Sequence, residues 1–118
     1  MCAEYGFNPG KDGWLYLIDH DPLDMFQIGI SNVPVDRLGR HAHRGWEVLE
    51  VRGPMDGFLV RQLETAILRA VKRRGAVLGH RTDIKKFDGY SEAWTKASLT
   101  VTSIKQLLDW VYEDDRTI

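Results

Sequence analysis

Cysteine is almost missing from this chain. Cys2 stands alone among 118 residues, so no disulfide can form within the sequence and zinc would lack thiolate partners. Solitary cysteine usage points to a reducing, intracellular setting. Long apolar runs are missing as well: no stretch approaches the roughly 18 residues of a membrane-spanning helix. Residues 1–9 lack the basic start and apolar stretch of a signal peptide. The expectation is a cytoplasmic protein with no membrane partner. There is no internal repeat, no low-complexity tract, no phosphate-cradling glycine loop and no nucleophile elbow. His20, His41, His43 and His80 show no zinc spacing.

An ordinary globular composition is present, 43% apolar and 28% charged, in a length that suits one domain spanning 1–118. A chain of this size can bury a core without staples. The net charge of -1 conceals an uneven distribution. Residues 33–86 carry twelve Lys/Arg against six Asp/Glu, whereas both flanks are acidic. A polyanion is drawn to such a middle; a merely solvated basic surface is the plainer alternative.

Alternating apolar positions predict strands at 14–18 and 25–31, joined as a hairpin by a loop of about six residues around Pro22. Phe26, Ile28 and Ile30 share one face of the second strand with Leu15 and Leu17 of the first. Trp14, Tyr16 and Ile18 fall with Gln27 and Gly29 on the other, where the glycine leaves space beside Tyr16. Asn32 is a good N-cap for a helix running to about residue 44, with Pro34 in its first turn. Val35, Leu38 and Ala42 predict its apolar stripe, and Arg37, Arg40, His41 and Arg44 the opposite, basic one. A third strand at 46–52 is expected to end at Gly53-Pro54. Asp56 caps a helix over about 57–74 that Gly75 closes. Residues 76–90 read as irregular and basic, 92–99 as a short strand or helix, and about 102–113 as a final helix with Ile104, Leu107, Leu108 and Val111 inward. The fold class is therefore α/β, an α+β sandwich: a small, largely antiparallel three-stranded sheet flanked by helices, in the order β-β-α-β-α-(short element)-α.

Three features carry chemistry. On a helical wheel of residues 57–74, Glu64 falls inside the apolar arc between Val71 and Leu68, the one charged residue there. A half-buried carboxylate needs a cation, either a metal or a neighbouring arginine. Arg37 and His41, one helical turn apart, suit an anion: a guanidinium fork for phosphate and an imidazole that exchanges a proton near neutral pH. Tyr16 sits in the hairpin, where tyrosines usually just pack.

In order and spacing these residues resemble the GIY-YIG nuclease superfamily. Tyr16 in Trp14-Leu15-Tyr16-Leu17-Ile18 matches the GIY tyrosine, with Trp14 in place of the motif glycine. Ile28 and Gly29 match the end of YIG, and Ser31 its usual continuation. Arg37-Leu38 followed by His41 matches the family's helix, and Glu64 its metal-binding glutamate. The match covers about residues 14–71; Gly89-Tyr90-Ser91-Glu92-Ala93-Trp94 is similar to a segment of phage-type branches. The second motif tyrosine is replaced by Gln27, which can neither carry charge nor act as a base.

The resemblance implies an endonuclease that hydrolyses phosphodiester bonds, most naturally in DNA, with RNA as a further candidate. It implies that Glu64 holds Mg²⁺ or Mn²⁺, that Arg37 binds a non-bridging oxygen, and that Tyr16 takes a proton from the attacking water, with His41 the alternative base. Gln27 would orient that water, and Tyr90 and Glu92 would shape the site. Arg40, Arg44, Lys72, Arg73, Arg74, Arg81, Lys85 and Lys86 are the candidates for contacting nucleic acid. Specificity would then come from a homodimer or a protein partner. Two rivals remain: an inactive nucleic-acid-binding module of the same fold, favoured by Gln27 and Trp14, and a protein-interaction domain presenting Trp46, Trp94 and Trp110.

Overall fold

The computed structural model describes residues 6–82 and 90–116. Its strands are β1 (Gly13–His20), β2 (Met25–Ser31), β3 (Glu47–Met55) and β4 (Ala93–Thr95). Its helices are α1 (Pro34–His43), α2 (Gly57–Arg73) and α3 (Ile104–Arg116), with single 3-10 turns at Gly79–Arg81 and Tyr90–Glu92. No helix among the described residues is long and apolar enough to cross a membrane.

The sheet is antiparallel in the order β3-β1-β2-β4. Four strands rather than three correct the expected count: the undecided segment at 92–99 supplies β4. Three residues are too few to show a period. Pairing with β2 makes them a strand, Ala93 opposite Gln27 and Trp94 opposite Phe26, and Leu78 bridges Trp94 from the other side.

The hairpin forms as expected, but β1 runs on to His20, which pairs with Met25 and shortens the loop to residues 21–24. Lys96 Nζ ties that loop down, 2.8 Å from Asp19 and 2.6 Å from Asp21. β3 also outruns its expected end and passes through Gly53-Pro54 to Met55. The register steps from Leu15 opposite Arg52 to Gly13 opposite Met55, so one extra residue of β3 bulges out of the ladder there. An edge strand tolerates a proline, because its missing N–H has no partner to serve.

Asn32 does not cap α1. Its side chain accepts from Asn8 N–H (2.7 Å) and donates to the carbonyls of Asn8 (3.0 Å) and Asp12 (2.9 Å), pinning the lead-in segment instead. Residue 33 holds the cap position without a side-chain bond, and Pro34 opens the helix. α2 follows its local signals: Asp56 accepts from Leu59 N–H at 3.1 Å, and Gly75 ends the helix at φ +92°. α3 begins where Glu50 of β3 accepts from Ile104 N–H at 2.8 Å. That bond, with Arg52 alongside, holds the Glu50 carboxyl below its usual range.

α2 and α3 cover one face of the sheet. Leu15, Leu17, Phe26, Ile28 and Ile30 meet Val60, Ile67 and Val71 of α2 and Ile104 and Leu107 of α3 there. α1 covers the opposite face, where Tyr16, Ile18, Met25, Trp46 and Ala93 cluster and Leu38 packs on them.

Candidate active site

The α1 face of the sheet is where the polar residues converge. Tyr16 pairs across the hairpin with Gly29, and its phenol fills the space a side chain there would need: a Cβ on Gly29 would collide with the ring and the hydroxyl. So directed, Tyr16 Oη lies 3.1 Å from His41 Nε2 across a buried hydrogen bond. Trp46 stands edge-on to the His41 ring at 6.2 Å.

This geometry corrects the expected facing of α1. Val35 is 81% exposed, whereas His41 is 1% exposed and is the buried residue of the helix. The sheet surface under α1 is aromatic and hydroxylated, so an imidazole that bonds Tyr16 fits it better than a valine that cannot. Arg37, one turn earlier, is half-buried, and its Nε has no hydrogen-bond partner among the described residues. Arg40 and Arg44 stay exposed and line a shallow groove of about 460 Å³ on the outer side of the helix, with Val35, Asp36, Gly39 and His43.

Gln27 occupies the tyrosine-like position on the same face, paired with Ile18 and Ala93. It is buried, and its Oε1 accepts no hydrogen bond among the described residues. Glu92 is buried in the turn just before Ala93, where Ser91 Oγ donates to its Oε1 at 3.0 Å. The structure thus gathers Tyr16, Gln27, His41 and, by helical spacing, Arg37 under α1. Glu64 belongs to α2. It is buried in line with Val60, Ile67 and Val71, on the helix that covers the other face of the sheet.

The basic candidates are dispersed. Lys72 and Arg73 end α2, and Arg81 is exposed in its 3-10 turn. Arg74 is committed to structure: its two terminal nitrogens reach the two Asp114 oxygens at 3.1 Å each, one also donates to the Ala70 carbonyl at 3.0 Å, and the guanidinium lies over Trp110. That fork holds the Asp114 carboxyl below its usual range. Lys85 and Lys86 lie outside the described residues, as does the side chain of Tyr90. Trp46 and Trp94 are buried and Trp110 is partly buried in the core, so none of the three supplies an exposed apolar patch.

No group of three or more His, Cys, Asp or Glu stands ready to hold a metal among the described residues. Glu64 is a single hard oxygen donor. A lone carboxylate is the donor type that Mg²⁺ and Mn²⁺ take, but those ions keep most of their waters, and Glu64 is 6% exposed in line with Val60, Ile67 and Val71. Comparison with known protein families, with curated proteins and with solved structures finds no match.

The contribution that sequence reading passed over is the ring cluster behind His41. Trp46 contacts both His41 and His20, the latter edge-on at 5.2 Å. Gly45-Trp46, directly after a helix that ends in histidines, was the one available signal.

Proposed function

We propose that this chain is a divalent-metal-dependent endonuclease acting on DNA. The reading rests on the Tyr16–His41 hydrogen bond, a phenol and an imidazole brought together by a glycine that makes room for one and a helix that turns the other inward. A phenol is a poor base at neutral pH, because its unperturbed pKa is about 10. An imidazole accepting the Tyr16 proton at Nε2 leaves an oxygen that can take a proton from the attacking water. The Arg37 guanidinium offsets charge on the phosphate, and Gln27 orients the water through its Oε1. Glu64 would be the residue to hold Mg²⁺ or Mn²⁺, whose chemistry when bound is to polarise a phosphate; it lies buried on the helix over the other face of the sheet, so its part in the same reaction is what the Glu64→Ala variant tests. Arg40 and Arg44 on the exposed side of α1 suit the flanking phosphates.

A second reading, a nucleic-acid-binding module without turnover, has a specific observation behind it. Tyr16 and His41 are each 1% exposed, so a phosphodiester reaches them only after the surface above them opens.

The test is nicking of supercoiled plasmid with Mg²⁺ or Mn²⁺ against EDTA. Metal-dependent nicking is expected, and Arg37→Ala and Glu64→Ala should each lower it on the order of 10³-fold or more without unfolding the protein. Undiminished cleavage in either variant overturns that residue's role. DNA retardation without cleavage in any metal establishes the binding module.

A further inference from the structure

His20 takes no part in the chemistry proposed above, yet both of its ring nitrogens are engaged. Nε2 lies 3.0 Å from the Arg44 carbonyl oxygen, and Nδ1 lies 3.1 Å from the Leu23 amide nitrogen. The two bonds determine the state of the ring. A carbonyl only accepts, so Nε2 must carry hydrogen; an amide N–H only donates, so Nδ1 must be bare. The neutral Nε2–H tautomer satisfies both, and the imidazolium cannot accept from Leu23.

The bonds join two elements. Leu23 belongs to the β1–β2 loop, and Arg44 is the residue on which α1 ends. From Arg44 the connection continues to the site. Arg44 N–H donates to the His41 carbonyl at 2.9 Å, Trp46 N–H donates to the same oxygen at 3.1 Å, and the His41 ring meets Tyr16. Trp46 fills the gap between the two imidazoles. The chain is built for the close approach: residue 45 is a glycine at φ +96°, and a Cβ there would lie 2.8 Å from His20 Nε2.

We infer that His20 is a positioning residue: as a neutral imidazole it clamps the end of α1 to the hairpin loop and so seats His41 against Tyr16, and its protonation loosens the clamp. The catalytic consequence rests on the nuclease reading; the clamp itself does not. Among the charged and titratable groups around it, the Asp21 carboxyl is held low chiefly by Lys96, with a smaller electrostatic contribution from His20 itself. Asp19 and Asp21 on the hairpin are taken by Lys96, and Glu47 at the start of β3 pairs in register with Asp19. Asp24 closes the loop, and α1 presents Arg44, His43 and His41.

Imidazole and amide resonances of the full ¹⁵N-labelled chain, followed from about pH 8 to about pH 5, test this directly. His20 is expected as the Nε2–H tautomer at the upper end. As it titrates, the Leu23 and Gly45 amides and the Tyr16 ring should shift along the same curve. His20→Gln keeps a donor for the Arg44 carbonyl that does not titrate, so in that variant the movement of the Gly45 and Tyr16 signals that is shared with position 20 should be lost. Titration of His20 without movement at Leu23, Gly45 and Tyr16 overturns the clamp, whether or not the protein cleaves. Absence of cleavage with the shared titration intact removes the nuclease reading and leaves the clamp standing. The wild-type titration needs no variant to fold.

Discussion

The two faces of the sheet are made by the same strands under opposite rules. Toward α2 and α3, β1 and β2 send Leu15, Leu17, Phe26, Ile28 and Ile30, which meet aliphatic side chains and exclude water. Toward α1 the same two strands send Tyr16, Ile18, Met25, Gln27 and a glycine, which lie with a buried histidine and a buried tryptophan. The first face needs volume and apolar character, properties that many residues supply. The second needs particular atoms at particular places: an empty Cβ position at 29, a bond at Tyr16 Oη, a bare nitrogen at His20. A face so specified is harder to satisfy, because each position must meet a particular atom as well as fill space.

The contrast is broken or sharpened by substitutions on each side. Ile67→Ala on the apolar face, where the side chain is fully buried, should cost about 2–5 kcal/mol of stability in urea unfolding. A loss well under that would mean the α2 face is not the main core. Gly29→Ala on the other face should cost about 1–3 kcal/mol, because the added methyl meets the Tyr16 phenol. Most of that cost should disappear in a Tyr16→Ala background, and a double-mutant cycle showing simple additivity would refute the coupling. Tyr16→Phe keeps the ring and removes the hydroxyl, so about 0.5–1.5 kcal/mol should be lost, with a changed His41 environment by NMR.

The smallest expected effect lies at the sheet edge and depends on pH. The Glu50 carboxyl is held below its usual value chiefly by the Ile104 amide. A carboxylate with a depressed folded pKa stabilises the fold above its unfolded value, and that contribution is lost as pH falls through the folded value. Wild-type stability should therefore decline on acidification below the ordinary glutamate range, and Glu50→Gln should decline less steeply. Equal slopes in the two proteins would show that the bond to the start of α3 carries no linkage.

Much of this was readable along the chain, and particular residues show why. Asp56 and Gly75 bracket α2 because a cap and a left-handed stop act within a few residues of themselves. The hairpin faces followed from alternation, and Gly29 was expected beside Tyr16. Glu64 was expected to be buried in the apolar arc of its helix, and it is. α1 was read correctly at Leu38, which packs inward, and wrongly at Val35, Ala42 and His41, which trade places. A helical wheel ranks residues by polarity and turned Val35 inward, but it carries no information about the aromatic, hydroxylated surface the helix would meet. Asn32 has the right chemistry for a cap and spends it on Asn8 and Asp12, an outcome set by where the lead-in segment passes. β4 is three residues long and is a strand only because β2 lies beside it.

By itself, then, the sequence determined the mixed class, the hairpin and its two faces, the long helix with its buried glutamate, and the residues available for acid–base work. These depend on periodicity, capping and turn chemistry, whose range is a few residues. Tertiary structure alone decided that His41 turns in to Tyr16, 25 positions away, that His20 reaches Arg44, 24 positions away, and that Glu64 sits on the helix across the sheet from both. Each of those outcomes depends on which surface a helix is pressed against, and that is settled by packing the whole chain at once.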